Sequence, residues 1–101
     1  LKKLSGRLSE LKSVVCINDT LVPALFDTGA TNSAVSARLA EKLGLSVTAD
    51  SSVAESSDGS IIPLLGKTSA RLAIGGSKES LCDFMVANIA DDLVIGCDLW
   101  K

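Results

Sequence analysis

An aspartate ends an apolar run in Ala24-Leu25-Phe26-Asp27-Thr28-Gly29-Ala30, with a turn-prone Thr-Gly pair directly behind it. A polar side chain set on a turn at the end of a buried strand is a frequent carrier of function. The chemistry open to a carboxylate there is proton transfer, as a base toward water or as an acid toward a carbonyl oxygen. Hydrolysis of an amide without a metal or a covalent nucleophile needs both roles at once, and one carboxylate cannot fill both. Two neighbouring carboxylates can, because like charges in close contact do not both ionise and the pair shares one proton. The chain holds a single Asp-Thr-Gly, so it offers one such motif to a pair of this kind. The tripeptide by itself is a weak signal, since such triplets are common in ordinary surface turns.

Other chemistries are narrowed by composition. The 101 residues contain no histidine, which removes Ser-His-Asp and Cys-His catalysis together with His-ligated zinc. Cys16, Cys82 and Cys97 are odd in number and form no C-x-x-C pair. Neither a disulfide framework nor a metal site is indicated, no cofactor is expected, and a reducing, cytoplasmic compartment fits best. Gly66-Lys67-Thr68 imitates the end of a phosphate-binding loop, but Ile61 stands where its first glycine belongs. Residues 69–74 moreover alternate like a strand where such a loop needs a helix. The net charge of -2 leaves no basic excess to neutralise phosphates. Lys2, Lys3, Arg7 and Lys12 read as the spaced cations of a solvated face. No stretch approaches the roughly 20 apolar residues that span a bilayer. Neither nucleic acid nor membrane is therefore expected as a partner. Asn18-Asp19-Thr20 matches a glycosylation sequon, though a turn-forming Asn-Asp explains it equally well.

The elements that must position Asp27 follow from apolar periodicity. With 47% apolar residues and two prolines the chain can bury one core and not two. Leu1, Leu4, Leu8 and Leu11 recur at helical spacing before the chain turns β-branched, so a short helix or a frayed strand leads in. Val14, Val15 and Ile17, then Asn18-Asp19, then the apolar residues 20–26 predict a hairpin, with Pro23 marking an edge or bulge. Ser36 is placed to cap a two-turn helix whose Leu39, Ala40 and Leu43 share a face and which Gly44 ends. Polar residues 50–60 culminate in Asp58-Gly59, with Ile61, Ile62, Leu64 and Leu65 behind them, which predicts a hairpin with an exposed tip. A further hairpin is read from residues 71–74, Gly75-Gly76 and residues 81–86. A short buried strand, Leu93-Val94-Ile95, stops at Gly96.

Taken in order, these motifs resemble the retropepsins, the aspartic proteases of retroviruses and gypsy-type LTR retroelements, over residues 13–100. The retropepsin pattern is two apolar residues, Asp-Thr-Gly-Ala, a short helix, a flap hairpin, and two apolar residues with Gly before a terminal helix. Residues 26–33 with Leu39-Ala40-Glu41-Lys42-Leu43-Gly44-Leu45 look particularly like the retroelement branch. The resemblance implies a mainly β fold, a closed antiparallel barrel with one short α-helix and a short C-terminal helix. Residues 13–101 would form the protease domain and residues 1–12 a lead-in or interface segment.

It implies a homodimeric aspartic endopeptidase acting on extended, partly apolar peptide or polyprotein segments. Aspartic proteases are the standard case of a carboxylate pair whose two titrations split apart. Asp27, Thr28 and Gly29 take the catalytic positions, Thr28 by reaching across the dimer axis and Gly29 by letting backbone approach closely. Residues 56–62 correspond to the flap, so Ser57, Asp58, Gly59 and Ile62 join Leu25, Ala30 and Val94 as substrate-binding candidates. Leu25, Ile62 and Val94 would wall the pockets, though each reads equally well as a core residue. The viral pattern continues with an Asp that pairs with an Arg after the terminal Gly, and here Thr31 and Cys97 stand in those places. The viral C-terminal interface strand has no counterpart in the sequence, so either a segment such as Leu1 to Leu11 takes part in the interface instead or pairing is weak. The rival reading is a catalytically silent domain of the same fold serving as an interaction or dimerisation module.

Overall fold

Asn18 and Asp19 both adopt positive φ, 47° and 65°. Short polar side chains tolerate that region, and two such residues give the turn whose twist suits a two-residue hairpin. The strands they join are β2 (Glu10–Ile17) and β3 (Thr20–Asp27), paired without interruption from Ile17↔Thr20 to Glu10↔Asp27. The computed structural model describes residues 2–3, 10–27, 30–49, 53–55, 61–96 and 99. In chain order the remaining elements are β1 (Lys2–Lys3), β4 (Ala34–Ser36), α1 (Ala37–Lys42), β5 (Thr48–Ala49), β6 (Val53–Glu55), β7 (Ile61–Pro63), β8 (Gly66–Ala73), β9 (Ser80–Ala87) and β10 (Leu93–Ile95).

Six of these strands close on themselves in the order β2-β3-β10-β4-β9-β8, with β8 returning to β2 through Cys16↔Ala73 and Ile17↔Leu72. Asn18 fastens the closure: its N–H donates to the Arg71 carbonyl at 2.9 Å and its Oδ1 accepts the Arg71 N–H at 2.8 Å. The sequon asparagine thus has a structural task. The result is a mainly β, closed barrel with one short helix, and β5 lies outside it along β8. Most pairings are antiparallel, but β10–β3 and β4–β9 are parallel. A separate three-stranded sheet has the order β1-β6-β7.

The barrel is filled from alternating positions. Along β8, Gly66, Thr68, Ala70 and Leu72 point inward while Lys67, Ser69 and Arg71 face out, the period-2 pattern of a half-buried strand. This strand begins at Gly66, five residues before the segment read from sequence, and it absorbs the false phosphate-loop motif. Gly66 is glycine for a local reason: a Cβ there would meet the Thr48 carbonyl oxygen at 2.4 Å. Phe84, Ile17, Leu93, Ile95, Val15 and Val35 are the large, fully buried centre. Thr68 is polar and buried, and its hydroxyl donates to the Ser46 carbonyl at 2.6 Å.

The helix matches its sequence signals. Ser36 Oγ accepts the Leu39 N–H at 3.0 Å as N-cap, Leu39 and Ala40 are buried, and Gly44 takes φ +68° just past the end. Pro23 is tolerated because β10 pairs with β3 only at Leu25 and Phe26, so at Pro23 the strand has β2 as its one bonded neighbour. The ambiguous lead-in is strand at Lys2–Lys3 and again from Glu10, and residues 4–9 lie outside the described set. The expected terminal helix lies outside the described residues apart from Leu99, whose N–H donates to the Gly96 carbonyl at 3.1 Å. Among the described residues no helix is long and apolar enough to cross a membrane.

Candidate active site

The sheet order β3-β10-β4 places the late strand β10 between two strands that are consecutive in the barrel's early half. The connection from β3 to β4 must therefore cross the end of β10. Asp27, the last residue of β3, stands where that crossing begins. It is fully buried, at 0% exposure, and lies opposite Glu10 of β2. The Ala30 N–H donates to the Asp27 carbonyl at 3.1 Å, turning the chain back on itself at once. Leu25 and Phe26 pair in parallel with Val94 and Ile95, which sets the level of Asp27 against the end of β10.

Gly96 follows β10 and lies under the crossing. A Cβ at this position would stand 2.9 Å from the Ala30 carbonyl oxygen and from both the carbonyl carbon and oxygen of Asn32. Only glycine lets the two backbones approach so closely. The contact is locked by Ser33, which is 1% exposed. Its Oγ accepts the Gly96 N–H at 2.9 Å and its carbonyl accepts the Met85 N–H at 3.0 Å. One serine thus ties the crossing to β10 and to β9. Sequence reasoning quoted Ser33 within a motif but assigned it no task; a hydroxyl beside a strand start that also needs a buried N–H partner is the only signal available.

The sequence candidates fall into three groups. Leu25, Ala30 and Val94 come together as a buried cluster with Ile89 packed on it, at 5%, 0% and 2% exposure. Leu25 also lines a cleft of about 200 Å³ with Lys12, Pro23, Ala24, Ala90, Asp91 and Asp92. Lys12 Nζ stands 4.0 Å from Asp91 Oδ1 across it. Ile62 is placed through its main chain, paired with Ala54 in the β6–β7 hairpin. Thr28, Gly29, Ser57, Asp58 and Gly59 lie outside the described residues, as does Cys97. Thr31 is exposed and its hydroxyl donates to Asn32 Oδ1 at 3.1 Å.

A larger open cleft of about 730 Å³ is lined by Asn32, Ser33, Ser46, Thr48, Lys67, Thr68, Ser69, Asp83, Phe84 and Met85. Its wall is rich in hydroxyls, and Ser69 Oγ donates to Asp83 Oδ1 at 2.6 Å. Among the described residues no group of three His, Cys, Asp or Glu side chains is placed to hold a metal ion.

Comparison with known proteins gives a consistent picture. Residues 13–101 match the family model described as "gag-polyprotein putative aspartyl protease". No curated protein sequence matches the chain. Among solved structures, EIAV protease complexed with the inhibitor HBY-793 superposes with TM-score 0.76 at 22% identity, covering 91% of this chain and 86% of that one. The retroviral protease-like domain of Ddi1 from Leishmania major has TM-score 0.65 at 26% identity, over 92% of this chain and 72% of that one. A retropepsin-like aspartic protease from Rickettsia conorii has TM-score 0.63 at 20% identity, over 98% and 76%.

Proposed function

From a chain that belongs to the gag-polyprotein aspartyl protease family and carries the retropepsin fold, we infer an aspartic endopeptidase that works as a homodimer. The observation that carries this reading is Asp27: a carboxylate with no surface exposure, at the end of a barrel strand, on a crossing clamped by Gly96 and Ser33. Such a position costs free energy unless the carboxylate is partnered.

In this reading two chains meet about a two-fold axis that brings each Asp27 to its mate. The pair shares one proton, so one carboxylate takes a proton from water while the other protonates the carbonyl oxygen of the scissile amide. Thr28 would reach across the axis to hold the carboxylates coplanar. The β6–β7 hairpin would be the flap that excludes water. An extended, partly apolar peptide would lie between hairpin and floor, with Leu25, Ala30 and Val94 on the floor side and Ser57, Asp58, Gly59 and Ile62 on the flap side. Retroelement polyprotein, or a cellular protein in a domesticated setting, is the substrate class the family suggests.

The decisive experiment is specific activity against protein concentration. Rate per mole of chain should rise with concentration and level off as the dimer saturates. Titrating in Asp27→Asn chain should extinguish it, because a mixed pair lacks one of the two carboxylates. Activity that stays flat down to concentrations where sedimentation shows only monomer overturns the two-chain site. HBY-793, found on EIAV protease, should raise the Tm of this chain if the same kind of site forms. At 100 times Kd, binding to the folded form alone stabilises by about 2.7 kcal/mol.

A further inference from the structure

Strand β6 has two neighbours of different kinds. On one side β7 pairs antiparallel over Val53↔Pro63, Ala54↔Ile62 and Glu55↔Ile61, as the hairpin requires. On the other side the chain's own N-terminal strand pairs in parallel, Lys2↔Ala54 and Lys3↔Glu55. Among the described residues no barrel strand is bonded to this sheet.

A strand edge is a row of main-chain donors and acceptors, and it accepts any extended segment able to complete the ladder. Here the described ladder covers Lys2 and Lys3, and main-chain bonds of this kind can be exchanged for those of another extended strand. The Lys2–Lys3 segment is also tethered: β2 opens at Glu10, opposite Asp27, seven positions after Lys3. At about 3.3–3.6 Å per residue that tether reaches at most about 25 Å. The filled edge therefore lies within one short segment of the Asp27 crossing.

We propose that the free side of β6 is a docking edge for an extended peptide strand and that Lys2–Lys3 fills it in cis, so that the N-terminal segment competes with a peptide arriving in trans. The identity of that peptide as a protease substrate rests on the function proposed above. The capping of the edge does not. The parallel direction adds a constraint, because a competing strand must run the same way along β6 as residues 2–3 to inherit their ladder.

The test uses the full chain carrying Lys2→Pro and Lys3→Pro, which removes both N–H donors and disfavours the ladder. Backbone hydrogen exchange at Val53–Glu55 should be several-fold faster in this variant while the β2–β3 and β8–β9 amides are unchanged. Equal exchange at β6 in both forms overturns the contact. A fluorescein-labelled peptide of residues 1–8 should bind the variant at least tenfold more tightly than it binds the unaltered chain, and the same peptide with both prolines should not bind. Equal affinity for both chains, or binding to neither, overturns the docking edge. In a cleavage assay the variant should show a several-fold lower KM with kcat unchanged, and an unchanged KM in an active enzyme overturns competition. If neither form cleaves any peptide but the labelled strand still prefers the variant, the capped edge stands and the peptidase reading is what fails.

Discussion

The Asp27 crossing and the β6–β7 hairpin face the same proposed task, holding a peptide, yet they are built in opposite ways. The crossing is fixed by the barrel: β3 leads into it paired on both sides, Ser33 bonds it to β10 and β9, and Gly96 admits it to backbone contact. Among the described residues the hairpin comprises Val53–Glu55 and Ile61–Pro63 in a sheet apart from the barrel, with Lys2–Lys3 on the far side of β6. Regions with few buried contacts and short ladders open at low free energy, whereas those sewn into the core open only with the whole domain. The difference suggests a division of labour, in which the groups for proton transfer are placed by the core and the cover is placed by a ladder that can be remade.

Substitutions can break or sharpen this contrast. The largest effect should come from Asp27→Asn. The loss of general acid–base catalysis should reduce peptide cleavage by about 10²–10⁴-fold or more, with the far-ultraviolet circular dichroism of the barrel unchanged. Substantial cleavage by the purified variant would falsify the carboxylate mechanism. Next comes Phe84→Ala, which empties the centre of the barrel at 1% exposure and should cost about 3–5 kcal/mol, measured by urea unfolding.

Gly96→Ala should cost about 1–3 kcal/mol through overpacking, because its Cβ meets backbone and not a movable side chain. Its cleavage should fall further than its stability, since the atoms it displaces belong to the crossing itself. Parallel losses in both would mean the crossing is merely structural. Ser33→Ala leaves the buried Gly96 N–H without its acceptor and should cost about 1–2 kcal/mol. The smallest effect belongs to the hairpin: Ile61→Ser, at a position 56% exposed, should stay within about 0.5 kcal/mol. A hairpin substitution that destabilises as much as Ser33→Ala would erase the distinction between floor and cover.

How far the sequence disclosed these regions depends on how local their signals are. The Asn18-Asp19 turn, the Ser36 cap and the Gly44 terminator each rest on one or two residues whose backbone preferences are decided nearby, and each is found as read. The Asp27 motif and the terminal Gly96 were legible as a resemblance, but their contact was not, because periodicity cannot tell which distant strand inserts between β3 and β4. The start of β8 at Gly66 was not read from sequence, where Gly66 figured only in the phosphate-loop decoy, whereas the approach of β5 requires a glycine there. Ser33 carried no visible sign, as a serine at the start of an apolar segment is usually no more than a cap. Leu25 and Val94 were readable as apolar but not as partners, and their register across the sheet is what joins them.

The insertion of β10 between β3 and β4 also bears on when the molecule can act. Leu25 and Val94 are direct ladder partners, separated by about seventy positions of chain, and topologies dominated by such distant pairings fold slowly, in milliseconds to seconds. During synthesis, at about 5–20 residues per second, Asp27 leaves the ribosome several seconds before the strand that completes its surroundings. Until Gly96 has emerged the crossing has nothing to cross, so the nascent polypeptide carries the acid without the seat that aims it. In the proposed reading, the order of strands would delay competence until Gly96 has joined the fold.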